Sequence, residues 1–245
     1  MNFKIKKILV LILLLVGTLH CRAAGEIHFR EGVAAYEAGQ YEPAAQAFRE
    51  SLAAQMAAGT LLNLGLAEWR QGQPGEAILA WEQSAWLNPF DGNARNNLSY
   101  ARETSLISPL ELTRSELAST WLPANYWAWL ASSSLWLAVA LVTLPGFFRA
   151  RKVGWHQTLA ALALGVFILS LAPNLGVITR TEVGIVTDKN TLLRLTPTQS
   201  AETVTSLAAG EPIRRLRQRG EYLFVHTPSG NGWVKRQQVK FLSPE

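Results

Sequence analysis

Four histidines and one cysteine are the side chains of this 245-residue chain best suited to nucleophilic, acid–base or metal chemistry. Their placement speaks against all three. His20 and Cys21 stand side by side in an apolar N-terminal segment, His156 lies in a basic loop, and His28 and His226 sit near opposite ends of the chain. Catalysis needs a nucleophile or base within reach of a partner, or a metal. No HExxH, Gly-rich phosphate loop or CxxC pair occurs, and one cysteine excludes an intramolecular disulfide. Glu182 and Asp188 read as solvated turn charges. The sequence therefore predicts no enzyme, no catalytic or metal-binding residue and no cofactor, which leaves binding.

Two groups of residues could bind. The first lies in the helical front part: Phe29, Val33 and Tyr36, then Leu62, Leu66 and Trp69, then Asn96 and Tyr100 recur at helical spacing on one apolar, aromatic-rich face. Some of these could instead pack on the linker after the helices. The second lies in "YLFV" and "GWVK". Strand alternation puts Tyr222 and Phe224 on one face and Leu223 and Val225 on the other. One pair must fill a core; Tyr222 and Phe224, with Trp233, are the candidate ligand face.

The elements that position the first group repeat. Gly39-Gln40-Tyr41 corresponds to Gly72-Gln73-Pro74, Ala44 to Ala77, Phe48 to Trp81 and Ser51 to Ser84, a period of about 34 residues. Small residues such as Gly65 and Ala77 let helices approach, and Phe48 or Trp81 fills the space between. Residues 58–91 resemble a tetratricopeptide repeat, with Leu61, Leu64-Gly65, Gly72, Ala77, Trp81, Leu87 and Pro89 at the large, small and turn positions. Residues 25–57 are a shorter copy with Met56 where a closing proline is usual, and 92–103 begin a third. The resemblance implies a groove that holds a protein segment.

Residues 104–125, with Pro109 and Pro123, read as a linker containing one short helix. Beyond it lie two charge-free runs, 126–148 and 158–178. At about 1.5 Å per residue, each makes a helix of roughly 30–35 Å, enough to cross a ~30 Å hydrocarbon core. Tyr126, Trp127, Trp129 and Trp155 stand at their ends like an interfacial belt. The intervening loop, 149–157, carries Arg149, Arg151 and Lys152, so the positive-inside rule puts it in the cytoplasm and both flanking regions outside. The N-terminus agrees: "MNFKIKK", an apolar core and "CRAAG" form a secretory signal over residues 1–23. Cleavage after Ala23, lipidation at Cys21 and retention as an anchor all export the chain beyond Ala23. The sequence predicts a multi-pass protein of the bacterial inner membrane, with both large domains periplasmic.

Residues 184–242 change class. "GIVT", "TLLRLTP", "PIRRLRQ", "YLFVHT" and "GWVK" are five short β-type runs separated by turn signals, which predicts a small all-β barrel. The strand–turn–strand pattern of residues 191–213 and the hairpin ending Gly232-Trp233-Val234 resemble a bacterial SH3 domain.

Charge divides along the same lines. Residues 25–103 hold ten acids and five bases, whereas residues 158–245 hold ten bases and six acids. No dense basic stripe or recognition motif points to nucleic acid. The opposite charges suggest weak, salt-sensitive docking of the 214–219 strand on Glu42, Glu50 and Glu76.

Signal, repeats, two spans and SH3-like domain together resemble the BatE-like proteins of bacterial aerotolerance operons. That resemblance implies a periplasmic scaffold working with von Willebrand-type Bat proteins and an ATPase of the MoxR class. A peptidoglycan-binding or envelope-stress-sensing protein, with the β domain as its ligand-binding end, is the alternative.

Overall fold

The computed structural model describes residues 25–147 and 154–243. The signal segment with Cys21, Phe148 at the end of the first apolar run, residues 149–153 of the loop with Arg149, Arg151 and Lys152, and residues 244–245 lie outside them.

Five helices stack in the front part: α1 (residues 25–37), α2 (Tyr41–Ala54), α3 (Ala58–Arg70), α4 (Pro74–Leu87) and α5 (Gly92–Ser105). The repeat is visible atom by atom, at a spacing of 33. A Cβ at Gly32 would meet the Phe48 ring at 2.6 Å, and one at Gly65 would meet the Trp81 indole at 2.4 Å. Ser51 Oγ donates to the Gly25 carbonyl and Ser84 Oγ to the Ala58 carbonyl, both at 2.8 Å. The turns match as well: Gly39 and Gly72 have φ of 75° and 73°, which lets Gln40 and Gln73 N–H bond back to Ala35 and Glu68 at 2.9 and 3.0 Å. Pro74 starts α4, where its missing N–H costs nothing, and Asp91 caps α5 by accepting from Asn93 N–H at 2.9 Å.

The short helix of the linker is α6 (Arg114–Ser119), opened by a capping box between Thr113 and Glu116. Two long apolar helices, α7 (Ala124–Phe147) and α8 (Gly154–Arg180), then form a hairpin. Both are long and apolar enough to cross a membrane. Their seam is small and polar: Ser134, Ala138, Ala160, Ala163 and Ser170 are buried there, and Asn174 Nδ2 donates to the Trp127 carbonyl at 3.0 Å. Ser132 and Ser133 face outward. Helix α6 lies directly on α8, where a Cβ at Gly176 would sit 2.1 Å from the Ser115 carbonyl oxygen.

The C-terminal part is one antiparallel sheet of seven strands: β1 (Val183–Val186), β2 (Thr191–Arg194), β3 (Thr203–Leu207), β4 (Pro212–Arg219), β5 (Tyr222–Thr227), β6 (Gly230–Lys235) and β7 (Val239–Phe241). Their spatial order is β3-β2-β6-β5-β4-β1-β7. The five apolar runs are β1, β2, β4, β5 and β6. The two additional strands carry a weak β signal for a physical reason: β3 buries only Leu207, and β7 has three residues after a 3₁₀ turn. Val186, Leu193, Ile213, Leu223, Val225 and Val234 fill the core of the sheet domain.

Helices and sheet share a second core. Ile78 and Trp81 of α4 and Leu98 of α5 are buried in one cluster with Val183, Ile185 and Leu242. Backbones come close at this junction: a Cβ at Gly75 would lie 2.7 Å from the Val186 carbonyl oxygen. This corrects the expectation of weak electrostatic docking. The contact is apolar and buried, so screening by salt acts only on its rim. The ionic partners also differ. Glu76 pairs with Lys240 at 2.5 Å, Arg214 pairs with Glu116 and Arg215 with Glu182, while Glu50 accepts from Gln46 and lies beside His28.

Candidate functional site

The first candidate face runs along α1, α3 and α5, and its residues divide into two groups. Phe29 lies 5.9 Å, centroid to centroid, from Phe48 and packs with Val33 on a small core of Ala44, Ala45 and Ala67. Leu62 and Leu66 are half-buried against the shared core. These residues hold the array together. Trp69 and Tyr36 are half-buried as well, packed on the shared core and on the Ala44 core respectively, and only Tyr100 and Asn96 are exposed. The Trp69 and Tyr100 rings meet edge-on at 6.0 Å, with Tyr100 60% exposed and Asn96 exposed on the same helix. Tyr36 meets Tyr41 edge-on at 5.4 Å. Between these pairs projects Arg70, which the aromatic pattern does not include. Its guanidinium pKa is raised further, mainly by a hydrogen bond with Tyr36 and then by the tyrosines around it. The neighbouring letters Trp69-Arg70 were the available sequence signal. Chemically, this is an aromatic patch with one exposed cation, suited to apolar side chains and a carboxylate.

The second candidate face is the outer side of the sheet. Leu223 and Val225 are fully buried, so Tyr222 and Phe224 point away from the core, each half-buried. Register places Phe224 opposite Trp233, with rings 5.2 Å apart. The same row continues to Arg194 of β2 on one side and Arg217 of β4 on the other. The next row pairs Tyr222 with Lys235 and Arg219. Arg194 is held by bonds to the carbonyls of Gln199 and Ala201 at 2.7 and 3.1 Å. Exposed Arg217 and Arg219 extend the aromatic row into a cationic edge. Sequence reasoning located the aromatics from their alternation but not these cations, because a β-bulge between Arg215 and Arg217 shifts the register of β4.

Two acids with 1% exposure or less lie outside both faces. Glu116 is fully buried; burial pushes its pKa up, but Arg214, Thr113 and Thr179 outweigh that and hold it at about 2. Glu68, 1% exposed, is pushed the other way. Desolvation raises its pKa and Arg49 offsets this only in part, while Oε2 has no partner among the described residues.

No protein-family profile matches the chain, and neither does a curated protein or a solved structure. The functional reading therefore rests on the two faces and on how they are held.

Proposed function

We propose that this chain is a non-enzymatic scaffold of the bacterial inner membrane, with the helical array acting as a tetratricopeptide repeat and the sheet as a bacterial SH3-like domain, both in the periplasm. One observation carries the reading. The shared core of Ile78, Trp81, Leu98, Val183, Ile185 and Leu242 joins the modules into one body, while Tyr100 and Arg70, beside the half-buried Trp69, stay at the surface. A rigid mount with an uncovered aromatic face is what holding a partner segment requires, since little ordering entropy is lost on binding. The resemblance to BatE-like proteins suggests the partner class: von Willebrand-type Bat proteins and their associated ATPase. The test is a photo-crosslinking residue at Tyr100 in the full chain, in cells. A discrete adduct that disappears when Trp69→Ala and Arg70→Gln are added supports the scaffold. No adduct at Tyr100 or Tyr36, or one indifferent to both substitutions, ends it.

A second reading is favoured by the Arg194–Trp233–Phe224–Arg217 row. Aromatic rings flanked by cations suit the sugar faces and carboxylates of peptidoglycan, which would make the β domain a wall-binding or envelope-sensing end. Retention of the detergent-purified full chain on isolated cell wall, lost with Trp233→Ala, distinguishes this reading from the first.

A further inference from the structure

A cavity of about 280 Å³ lies where the helical array, the linker, the last residue of α8 and the sheet meet. Its lining mixes apolar and charged side chains. Leu98, Leu110, Leu112, Val183, Ile185 and Leu242 supply apolar surface. Among them stand Arg95, Arg102 and Arg180 with one lining carboxylate, Glu82; Glu116, already paired with Arg214, also acts on Arg180, and Glu103 lies in the adjoining groove.

None of the three cations is used up. Arg102 pairs with Glu82, yet its Nε is buried and has no hydrogen-bond partner among the described residues. Arg95 gives one N–H to the Pro89 carbonyl at 2.8 Å. Arg180 stacks 4.4 Å over Trp86 and reaches Ser119 Oγ only at 3.5 Å. A guanidinium has five N–H donors, so each keeps several. An unpartnered buried donor beside several cations calls for an acceptor, and an anion is one that also meets the charge.

The location narrows the anion. Arg180 is the last residue of α8, and Thr120, also in the wall, comes just before α7. The cavity thus includes the end of α8 and a residue four positions before α7, and Trp121, which follows Thr120 in the chain, is 67% exposed. Beyond Arg95, Leu98, Arg102 and Pro109 it continues into an open groove over Leu106, 93% exposed. A soluble phosphate would satisfy the cations but leave the apolar wall in water.

We propose that this cavity is a site for one anionic phospholipid, its phosphodiester held by Arg95, Arg102 and Arg180 and its glycerol end lying on Leu110 and Leu112. The site rests on the reading of α7 and α8 as membrane spans. The lipid would join all the modules at one point and make their arrangement depend on the surrounding bilayer.

The test uses the full chain, delipidated in detergent, with phosphatidylglycerol, phosphatidylcholine or inorganic phosphate added. Native mass spectrometry should show one phosphatidylglycerol retained per chain in preference to phosphatidylcholine. Arg95→Gln should weaken that retention about tenfold, the loss of one charge-assisted contact, whereas Arg30→Gln on α1 should not. Leu110→Trp, which fills the cavity without changing charge, should also displace the lipid if an arginine variant fails to fold. Equal retention of the two lipids, retention untouched by both cavity variants, or stabilisation by inorganic phosphate alone overturns the site. Carbonate extraction separates the underlying assumption: a chain released as a soluble protein overturns the membrane reading and the site with it, whereas a chain that stays in the membrane without lipid selectivity overturns the site alone.

Discussion

Arg214 on β4 donates to both carboxylate oxygens of Glu116 on α6, at 2.5 and 2.9 Å, across 98 residues of sequence. The pair clamps the linker helix to the sheet, and α6 in turn rests on α8 at Gly176. It is one link between the apolar hairpin and the rest of the molecule, beside the stacking of Arg180 on Trp86.

This pair should make stability fall in acid. The folded pKa of Glu116, about 2, lies below its ordinary 4.5. Its contribution is therefore full above about pH 4.5 and lost as pH falls toward 2. Glu116→Gln leaves Arg214 without a counter-charge and should cost roughly 3–5 kcal/mol at pH 7. Thermal melts from pH 7 to pH 3 check this: the gap between parent and variant should narrow as pH falls, and a constant gap refutes it.

Glu68 should behave in the opposite way. Its folded pKa is raised, so ionisation in the folded state is a burden at neutral pH that acid relieves. Glu68→Gln gives up the bond to half-exposed Arg49 but removes a buried, incompletely paired charge. The variant should be as stable as the parent at pH 7, or more so, in the same melts. A loss like that of Glu116→Gln would show that Arg49 fully compensates the burial.

The repeat predicts matched effects at matched positions. Gly65→Leu must push into Trp81, and Gly32→Leu into Phe48, each costing about 1–3 kcal/mol through overpacking. Trp81→Ala should cost more, roughly 3–5 kcal/mol, because it opens a cavity in the shared core and frees the Leu62 carbonyl that Trp81 Nε1 now bonds at 3.2 Å. Chemical denaturation of the three variants, read by far-UV circular dichroism, gives the order.

The helix–sheet junction should resist salt and yield to volume. Hydrogen exchange at β1 and α4 should be nearly the same at low and at molar salt, since only pairs such as Glu76–Lys240 lie on the rim. Gly75→Leu improves helix propensity yet collides with the Val186 and Thr187 backbone. It should speed exchange in β1 while α2 and α3 stay protected. Salt alone producing that pattern would restore an electrostatic contact.

Residues near one another in sequence determined much of this architecture. The Gly39 and Gly72 turns, the Phe48 and Trp81 positions, the two uncharged runs and the alternation in "YLFV" are periodic patterns, and period is set by local backbone geometry. That was enough for helical pairs, an apolar hairpin and a β domain, and for placing Tyr222 and Phe224 on one face, but which face turns outward was left to the fold. The tertiary structure decided how these parts meet. Gln83 reaches the Leu242 carbonyl 159 residues away, and Ile185 packs with Ile78, although nothing in either stretch distinguishes a partner across the molecule from its own core. For the same reason Leu62 and Leu66 are covered while Tyr100 is open, and Arg95, Arg102 and Arg180 meet around one cavity. Burial rewards any apolar neighbour alike, so which surface supplies it depends on shape complementarity, which exists only once the chain has folded.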